Sequence, residues 1–246
     1  MQLDSKVIAI TGGSRGLGKA LAIQCCERGA KVAILGRNTQ QLEQAVDDIG
    51  GEISGIGCDI GDPDSVRSAF SEIFDQFGTL DALVNNAAIY PPFRVEKASD
   101  QQLRSIIDTN VLGAMYCCRE AIPLLKRSRG DIINVSSEAV RFHPPMLSVY
   151  AASKAALETF SQSLRVELAG QGVRVSAMRV GHIHRVDDSP LDDETFAEMM
   201  QVFEETGFAA ATGEGMAIDT VTTALMQLLT LPADATMDLL ELRSRN

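Results

Sequence analysis

The sequence predicts one α/β domain, with helices covering both faces of a parallel β-sheet. Short continuous apolar runs alternate with helical segments along the whole chain. The first apolar run passes through a glycine-rich turn into a helix and then into a second run, a βαβ unit with a right-handed crossover. At 246 residues the chain can hold one large domain or two small ones, and unbroken alternation without repeats or low-complexity segments selects one.

Residues 6–11, Lys-Val-Ile-Ala-Ile-Thr, suit a strand covered on both faces. The turn Thr-Gly-Gly-Ser-Arg-Gly-Leu-Gly follows at 11–18, then a helix over 19–28 that Gly29 ends. Such a turn lets main-chain N–H groups approach a phosphate at the helix N-terminus. Residues 30–35 form the second strand, 39–49 an amphipathic helix and 53–58 the third strand, closed by Asp59. Asp62-Pro63 starts a helix over 64–77, and the fourth strand, 81–85, runs into Asn86-Ala87-Ala88. A loop with aromatic content spans 90–98. The pattern then predicts one long helix over 99–126 with Asn110 at its centre and Pro123 bending its last turns. The fifth strand covers 131–136, so Ser137 falls just past its carboxyl end, where open α/β sheets bind ligands. After a loop at 141–148 come a helix over 150–169, the sixth strand at 172–178, a helix over 217–229 and a last strand at 237–242. Residues 186–215 are acidic and contain Gly and Met, with a short helix near 194–203; that composition predicts a lid over the site.

Bulk properties narrow the function. The hydrophobic fraction of 45% and charged fraction of 22% are those of a soluble globular protein. A net charge of −11 without a basic run argues against nucleic-acid binding. No apolar run reaches membrane-spanning length, and the N-terminus enters the first strand at once, so neither a membrane partner nor a signal peptide is expected. The five Cys form two adjacent pairs, Cys25-Cys26 and Cys117-Cys118, plus Cys58; the pairs sit in helical, largely apolar contexts and suit small core residues. The expected compartment is the cytoplasm. No metal is expected, because His182 and His184 have no carboxylate or Cys at ligand spacing.

Two features carry chemistry. The second strand ends in Gly36-Arg37-Asn38, with no carboxylate for a ribose 2′-hydroxyl. Arg37 and Arg15 instead suit a 2′-phosphate, which points to NADP. Tyr150 and Lys154 stand four residues apart on one helix and share a face. An ammonium close to a phenol favours the phenolate, so Tyr150 is expected to titrate below its ordinary value of about 10 and to exchange a proton near neutrality.

The glycine turn, Asn-Asn-Ala-Ala after the fourth strand, Ser after the fifth and Tyr-x-x-x-Lys on the next helix occur here in one order. Together they resemble the short-chain dehydrogenase/reductase family over roughly residues 5–180, with a weaker C-terminal match. The resemblance implies a Rossmann fold with a seven-stranded parallel sheet in the order 3-2-1-4-5-6-7. The family's cofactor motif falls on Thr11, Gly12, Gly16 and Gly18, its adenine-contacting Asp on Asp59, and its Asn-Asn-Ala-Gly motif on Asn85 to Ala88, with Ala88 in place of Gly. Cofactor contacts are thereby implied for Gly12, Ser14, Arg15, Gly16, Leu17, Gly18, Arg37, Asp59, Ile60, Asn86, Ala87, Ala88, Tyr150, Lys154, Gly181 and Ile183. The catalytic tetrad falls on Asn110, Ser137, Tyr150 and Lys154; Ser136 competes for the serine role, and the thirteen-residue gap to Tyr favours Ser137. By this resemblance Tyr150 exchanges a proton with the substrate oxygen, Ser137 hydrogen-bonds that oxygen, Lys154 tunes Tyr150 and holds the nicotinamide ribose, and Asn110 holds a water leading from Lys154 to solvent.

The expected activity is hydride transfer between NADP(H) and a ketone or secondary alcohol of moderate apolarity, by a homodimer or homotetramer. The substrate would meet Ser137, Tyr150, Phe93, Phe142 and His143; Met146, Leu147, Met199, Met200 and Phe203 suit a pocket lining and core packing equally. The family's Pro after the sixth strand is Val180, its Thr near the carboxamide is Arg185, and its common Asp-Gly-Gly ending is absent. Val180 and Arg185 motivate one alternative, a regulator that senses NADP(H) without catalysis; another, a 3-oxoacyl-type reductase, expects a basic docking surface, which the net charge of −11 disfavours.

Overall fold

The computed structural model describes residues 3–184, 192–208 and 215–245. Seven parallel strands form one sheet in the order β3-β2-β1-β4-β5-β6-β7. They are β1 (Val7–Thr11), β2 (Lys31–Gly36), β3 (Ile53–Gly57), β4 (Ala82–Asn85), β5 (Asp131–Ser137), β6 (Arg174–Val180) and β7 (Leu239–Leu242). β1, β4 and the middle of β2 are buried at every position, as their unbroken apolar runs require of a sheet covered on both faces. Two hydrophobic cores sandwich the sheet. One contains Ile8, Ile10, Leu21, Ile34, Met178 and Leu225, the other Ala9, Leu35, Ile56, Ile73, Leu83 and Ile132. Alternate residues of β1 and β2 thus serve opposite faces.

The chain leaves β1 to build β2 and β3 on one side, then returns to place β4 on the other. The order therefore reverses between β1 and β4, and the carboxyl ends of these strands frame a crevice. Helix α1 (Gly16–Glu27) starts inside the glycine turn, three residues before the expected position. Helices α2 (Thr39–Ile49) and α3 (Pro63–Phe77) lie close to prediction; Asn38 caps the first, and Asp62 with Pro63 opens the second.

The single helix expected over 99–126 is instead three pieces. Helix α4 (Asp100–Ile107) begins with a capping box of Ser99 and Gln102, a π turn spans Asp108–Gly113, and helix α5 (Ala114–Ser128) continues with Pro123 inside it. Apolar periodicity persists through a π turn, so the sequence pattern conceals it. The cause is packing: a side chain on Gly113 would put its Cβ 2.9 Å from Ile60 Cγ1, and Asn110 is pulled to the loop after β4. Ser137 is the last residue of β5, paired with Val180, and not the residue beyond the strand. A short helix α6 (Ala139–Phe142) follows, then α7 (Ser148–Glu167), which starts two residues earlier than expected.

Of the segment expected as a lid, 186–191 and 209–214 lie outside the described residues, as does Arg185. Its helix is α8 (Asp193–Thr206), and α9 (Ile218–Leu229) packs on α1. Arg94 and Lys97, from the loop after β4, both reach Glu198 of α8, at 3.0 and 3.3 Å. The chain after β6 pairs with the chain entering α9 through a parallel bridge between Ile183 and Met216. No helix among the described residues is long and apolar enough to cross a membrane.

Candidate active site

The glycine turn owes its shape to glycine. Gly12 and Gly16 have φ of +65° and +53°, in the region that side chains disfavour. A Cβ on Gly13 would sit 2.4 Å from Ile34 Cγ2, and one on Gly18 would sit 2.3 Å from the Gly12 carbonyl oxygen. The turn is stapled to the β4 exit. Thr11 Oγ1 accepts the N–H groups of Asn86 and Ala87, both at 3.0 Å, and the Asn86 amide donates to the carbonyls of Thr11 and Gly12 at 2.9 and 3.3 Å. Asn86 thus braces the turn through its side chain.

At the start of α1, Arg15 makes no side-chain cap and the first turn has no acidic residue. Unpaired helical N–H groups, a positive helix end and a main chain without side chains fit a pyrophosphate, so the residues present suit a dinucleotide. Ser14 lies beside Gly36, with Oγ 3.7 Å from where a Cβ would stand. Arg15 and Arg37 are exposed on either side of the β1 and β2 ends, and Asn38 is spent on capping α2. Asp59 is exposed at the β3 exit, where its carboxylate turns back to the Gly61 N–H at 3.0 Å. Ile60 is buried against the π turn.

Ser137, Tyr150, Lys154 and Asn110 come together where β5 and α7 meet. Tyr150 and Lys154 share one face of α7, as i and i+4 must. Ser137 lies beside the Tyr150 phenol, near enough to act on its titration, and the Tyr90 ring packs on Tyr150 with centroids 5.6 Å apart. Ser137 Oγ also accepts the Ala139 N–H at 3.1 Å. Ser136 points elsewhere: it is buried and donates to Glu158 Oε1 at 2.7 Å.

The expected lowering of the Tyr150 pKa is corrected by this geometry. Burial pushes the phenol up to about 12, against the nearby Ser137 hydroxyl, with Tyr90 and Glu138 pushing the same way. The Lys154 ammonium lies 5.9 Å from the Tyr150 ring centroid and donates instead to the Val135 carbonyl at 2.7 Å. Lys154 is itself 2% exposed, and burial brings its pKa down to about 8.

The Asn110 side chain has both N–H donors and its oxygen engaged. Its amide donates to Ile89 O at 2.8 Å and Ser153 Oγ at 3.1 Å, and its oxygen accepts the Ile89 N–H at 2.8 Å. Ser153 Oγ in turn donates to the Tyr150 carbonyl at 2.7 Å, which ties the π turn to the helix that carries Tyr150.

Behind this centre lies a charged array that the sequence reading did not single out. Arg179 of β6 holds Glu158 of α7 through two hydrogen bonds, at 2.9 and 2.6 Å, and Glu241 of β7 through a third at 2.9 Å. Glu158 stands one turn after Lys154, so its place on the same helix face was visible; its partners were not.

The residues expected to meet substrate are dispersed. Phe93 is buried, its N–H bound to the Met146 carbonyl at 2.9 Å. Phe142 is half-buried beneath Arg243, 5.7 Å from its centroid. His143 is exposed at φ +50° and, with Pro144, Ala151 and Ala155, lines a cleft of about 310 Å³ between α6 and the start of α7. Tyr90, read only as part of an aromatic loop, is the aromatic side chain packed on Tyr150. Among the described residues no group of three His, Cys, Asp or Glu is arranged to hold a metal ion.

These features are those of an α/β nucleotide-binding oxidoreductase, and comparison with known proteins gives the family. The chain matches the short chain dehydrogenase family over residues 6–195. It is 33% identical over 202 residues to a 3beta-hydroxysteroid dehydrogenase of Mediterraneibacter gnavus, covering 80% of this chain and 72% of that one. It is 36% identical over 190 residues to a 3-oxoacyl-[acyl-carrier-protein] reductase of Bos taurus, covering 77% and 80%. The crystal structure of a 3-ketoacyl-(acyl-carrier-protein) reductase from Brucella melitensis complexed with NADH superposes with a TM-score of 0.84 at 27% identity, covering 98% of each chain. The chain belongs to the short-chain dehydrogenase/reductase family and is an oxidoreductase.

Proposed function

We propose that the protein transfers hydride between NADP(H) and a ketone or secondary alcohol of moderate apolarity. The observation that carries this reading is the placement of Ser137, at the carboxyl end of β5, beside the Tyr150 phenol, with Lys154 on the same face of α7. The bound nicotinamide would supply or accept the hydride. The glycine turn and the start of α1 would hold its pyrophosphate, and Arg15 and Arg37 a 2′-phosphate.

In reduction the Tyr150 O–H donates its proton to the developing alkoxide, while Ser137 Oγ donates a hydrogen bond to the same oxygen and fixes its place. In oxidation the same atoms run in reverse, with Tyr150 as base. Burial keeps the phenol protonated, which suits a donor. Lys154, held at about pKa 8, is the group whose charge favours the phenolate left after transfer. Because the Asn110 amide is engaged with Ile89 and Ser153, a water relaying protons from Lys154 would be held by main-chain acceptors of the π turn.

A second reading, reduction of 3-oxoacyl thioesters, draws on the likeness to the bovine and Brucella reductases. The net charge of −11 weighs against docking an acidic carrier protein.

A screen of aliphatic, cyclic and aromatic ketones beside a 3-oxoacyl thioester, read by loss of NADPH absorbance, tests the reading. Turnover of simple ketones with NADPH preferred over NADH is expected. Arg37→Ala and Arg15→Ala should each weaken NADPH by about tenfold, with little effect on NADH, as for loss of a charge-assisted hydrogen bond. Preference for NADH, or thioester turnover alone, contradicts the assignment.

A further inference from the structure

Glu138 follows Ser137 directly, and its surroundings connect two halves of the site. Its N–H donates to the Val180 carbonyl at 2.9 Å, continuing the pairing of Ser137 with Val180 across β5 and β6. Its side chain then lies over the β6 exit, where Oε1 accepts the His182 N–H at 2.8 Å. Oε2 covers Gly181 so closely that a Cβ there would stand 2.7 Å away. Gly181 is fixed from the other side by its own N–H, which donates to the Leu242 carbonyl at 2.8 Å. The backbone of residues 181–182 is therefore held between a carboxylate and β7, beside the serine that meets Tyr150.

The charged and titratable groups around Glu138 are His182, Arg243, Glu241 and Tyr150. Burial raises the Glu138 pKa above its ordinary value, with Glu241 pushing the same way, while the His182 N–H, His182 and Arg243 pull it down. A carboxylate accepting a main-chain N–H makes a strong, directional bond. Val180 has no ring to fix its φ, so the main chain after β6 takes its rigidity from elsewhere.

We infer that Glu138 is a positioning residue: through the His182 N–H it locks the main chain leaving β6 against Ser137, so that the nicotinamide half of the cofactor and the substrate oxygen meet in register. The role rests on the function proposed above, since it presumes a dinucleotide reaching from the glycine turn to this wall. The family resemblance assigns no role to this position.

The test measures NADPH dissociation constants by fluorescence titration, with hydrogen exchange at the His182 amide as an independent reading. Glu138→Ala should weaken NADPH by about tenfold, as loss of a charge-assisted hydrogen bond does. Glu138→Gln, which keeps an oxygen acceptor, should stay within about threefold of the parent protein. Exchange at His182 should speed up in the alanine variant and stay slow in the glutamine one. Should Glu138→Ala fail to fold, Glu138→Met serves in its place, because it keeps the length of the side chain without its oxygens and predicts the same loss of NADPH affinity. Parental affinity in Glu138→Ala or Glu138→Met, or a glutamine variant as impaired as these, overturns the inference. Failure of the parent protein to bind NADPH would sink the functional reading instead, and the exchange measurement would still decide whether Glu138 holds the chain.

Discussion

Lys154 reaches past Tyr150 to the Val135 carbonyl, and that partner shapes how both groups titrate. Tyr150 is raised from its ordinary value of 10 to about 12, so its contribution to stability is complete below pH 10 and is lost as pH climbs through 12. Lys154 is lowered from 10.5 to about 8; between those values the unfolded chain binds the extra proton, so stability from this group rises with pH across that window. A titration of phenolate absorbance in the protein by itself, with the Tyr150→Phe curve subtracted, should show a single step near pH 12. A step near neutrality would contradict the geometry. Spacing alone placed Tyr150 and Lys154 on one helix face. It could not reveal that a carbonyl on β5 draws the ammonium away, because that carbonyl belongs to another element. Glu138 stands next to Ser137 in plain view, yet only tertiary structure brings the His182 N–H to it.

Helix α7 is tied to the sheet by charge as well as by apolar packing. The Arg179–Glu158 pair is nearly out of solvent, with side-chain exposures of 13% and 9%, and Ser136 adds a hydrogen bond to Glu158 from β5. Removing one member of a buried pair strands the other charge, so Arg179→Met should destabilise the fold by about 3 kcal/mol. The double variant Arg179→Met with Glu158→Leu should recover much of that loss, because no unpaired charge remains. Denaturant midpoints check both, and an unchanged Arg179→Met midpoint would show the array to be ornamental. Elements with their own signals were legible in the sequence: β1, the glycine turn, the capped α2 and the Asp62-Pro63 start of α3. The π turn was not, because the apolar period runs through it and its cause, the approach of Ile60 to Gly113, lies between distant segments. The two-residue shift in the start of α7 has the same character: no side chain caps it, so no sequence signal marks it.

In the whole molecule, the reversal of strand order between β1 and β4 gathers the glycine turn, the Asn86 brace and the Ser137–Tyr150 pair at one edge of the sheet. Strand and helix alternation made that architecture readable, since buried parallel strands leave unbroken apolar runs. The surroundings of the residues expected to meet substrate were the least legible. Phe93, Phe142 and His143 come from a loop and a short helix whose paths depend on contacts such as the Phe93 N–H with the Met146 carbonyl, and the aromatic ring packed on Tyr150 belongs to Tyr90. The central claim is that Tyr150 moves a proton in a hydride transfer, and replacing its hydroxyl tests it directly. Tyr150→Phe should cut kcat for a turned-over ketone by about 10²–10⁴-fold, the range for a lost general acid. NADPH should still raise its melting temperature as it does the parent protein's, because the glycine turn proposed to hold its phosphates is untouched. Full turnover by Tyr150→Phe would contradict the account.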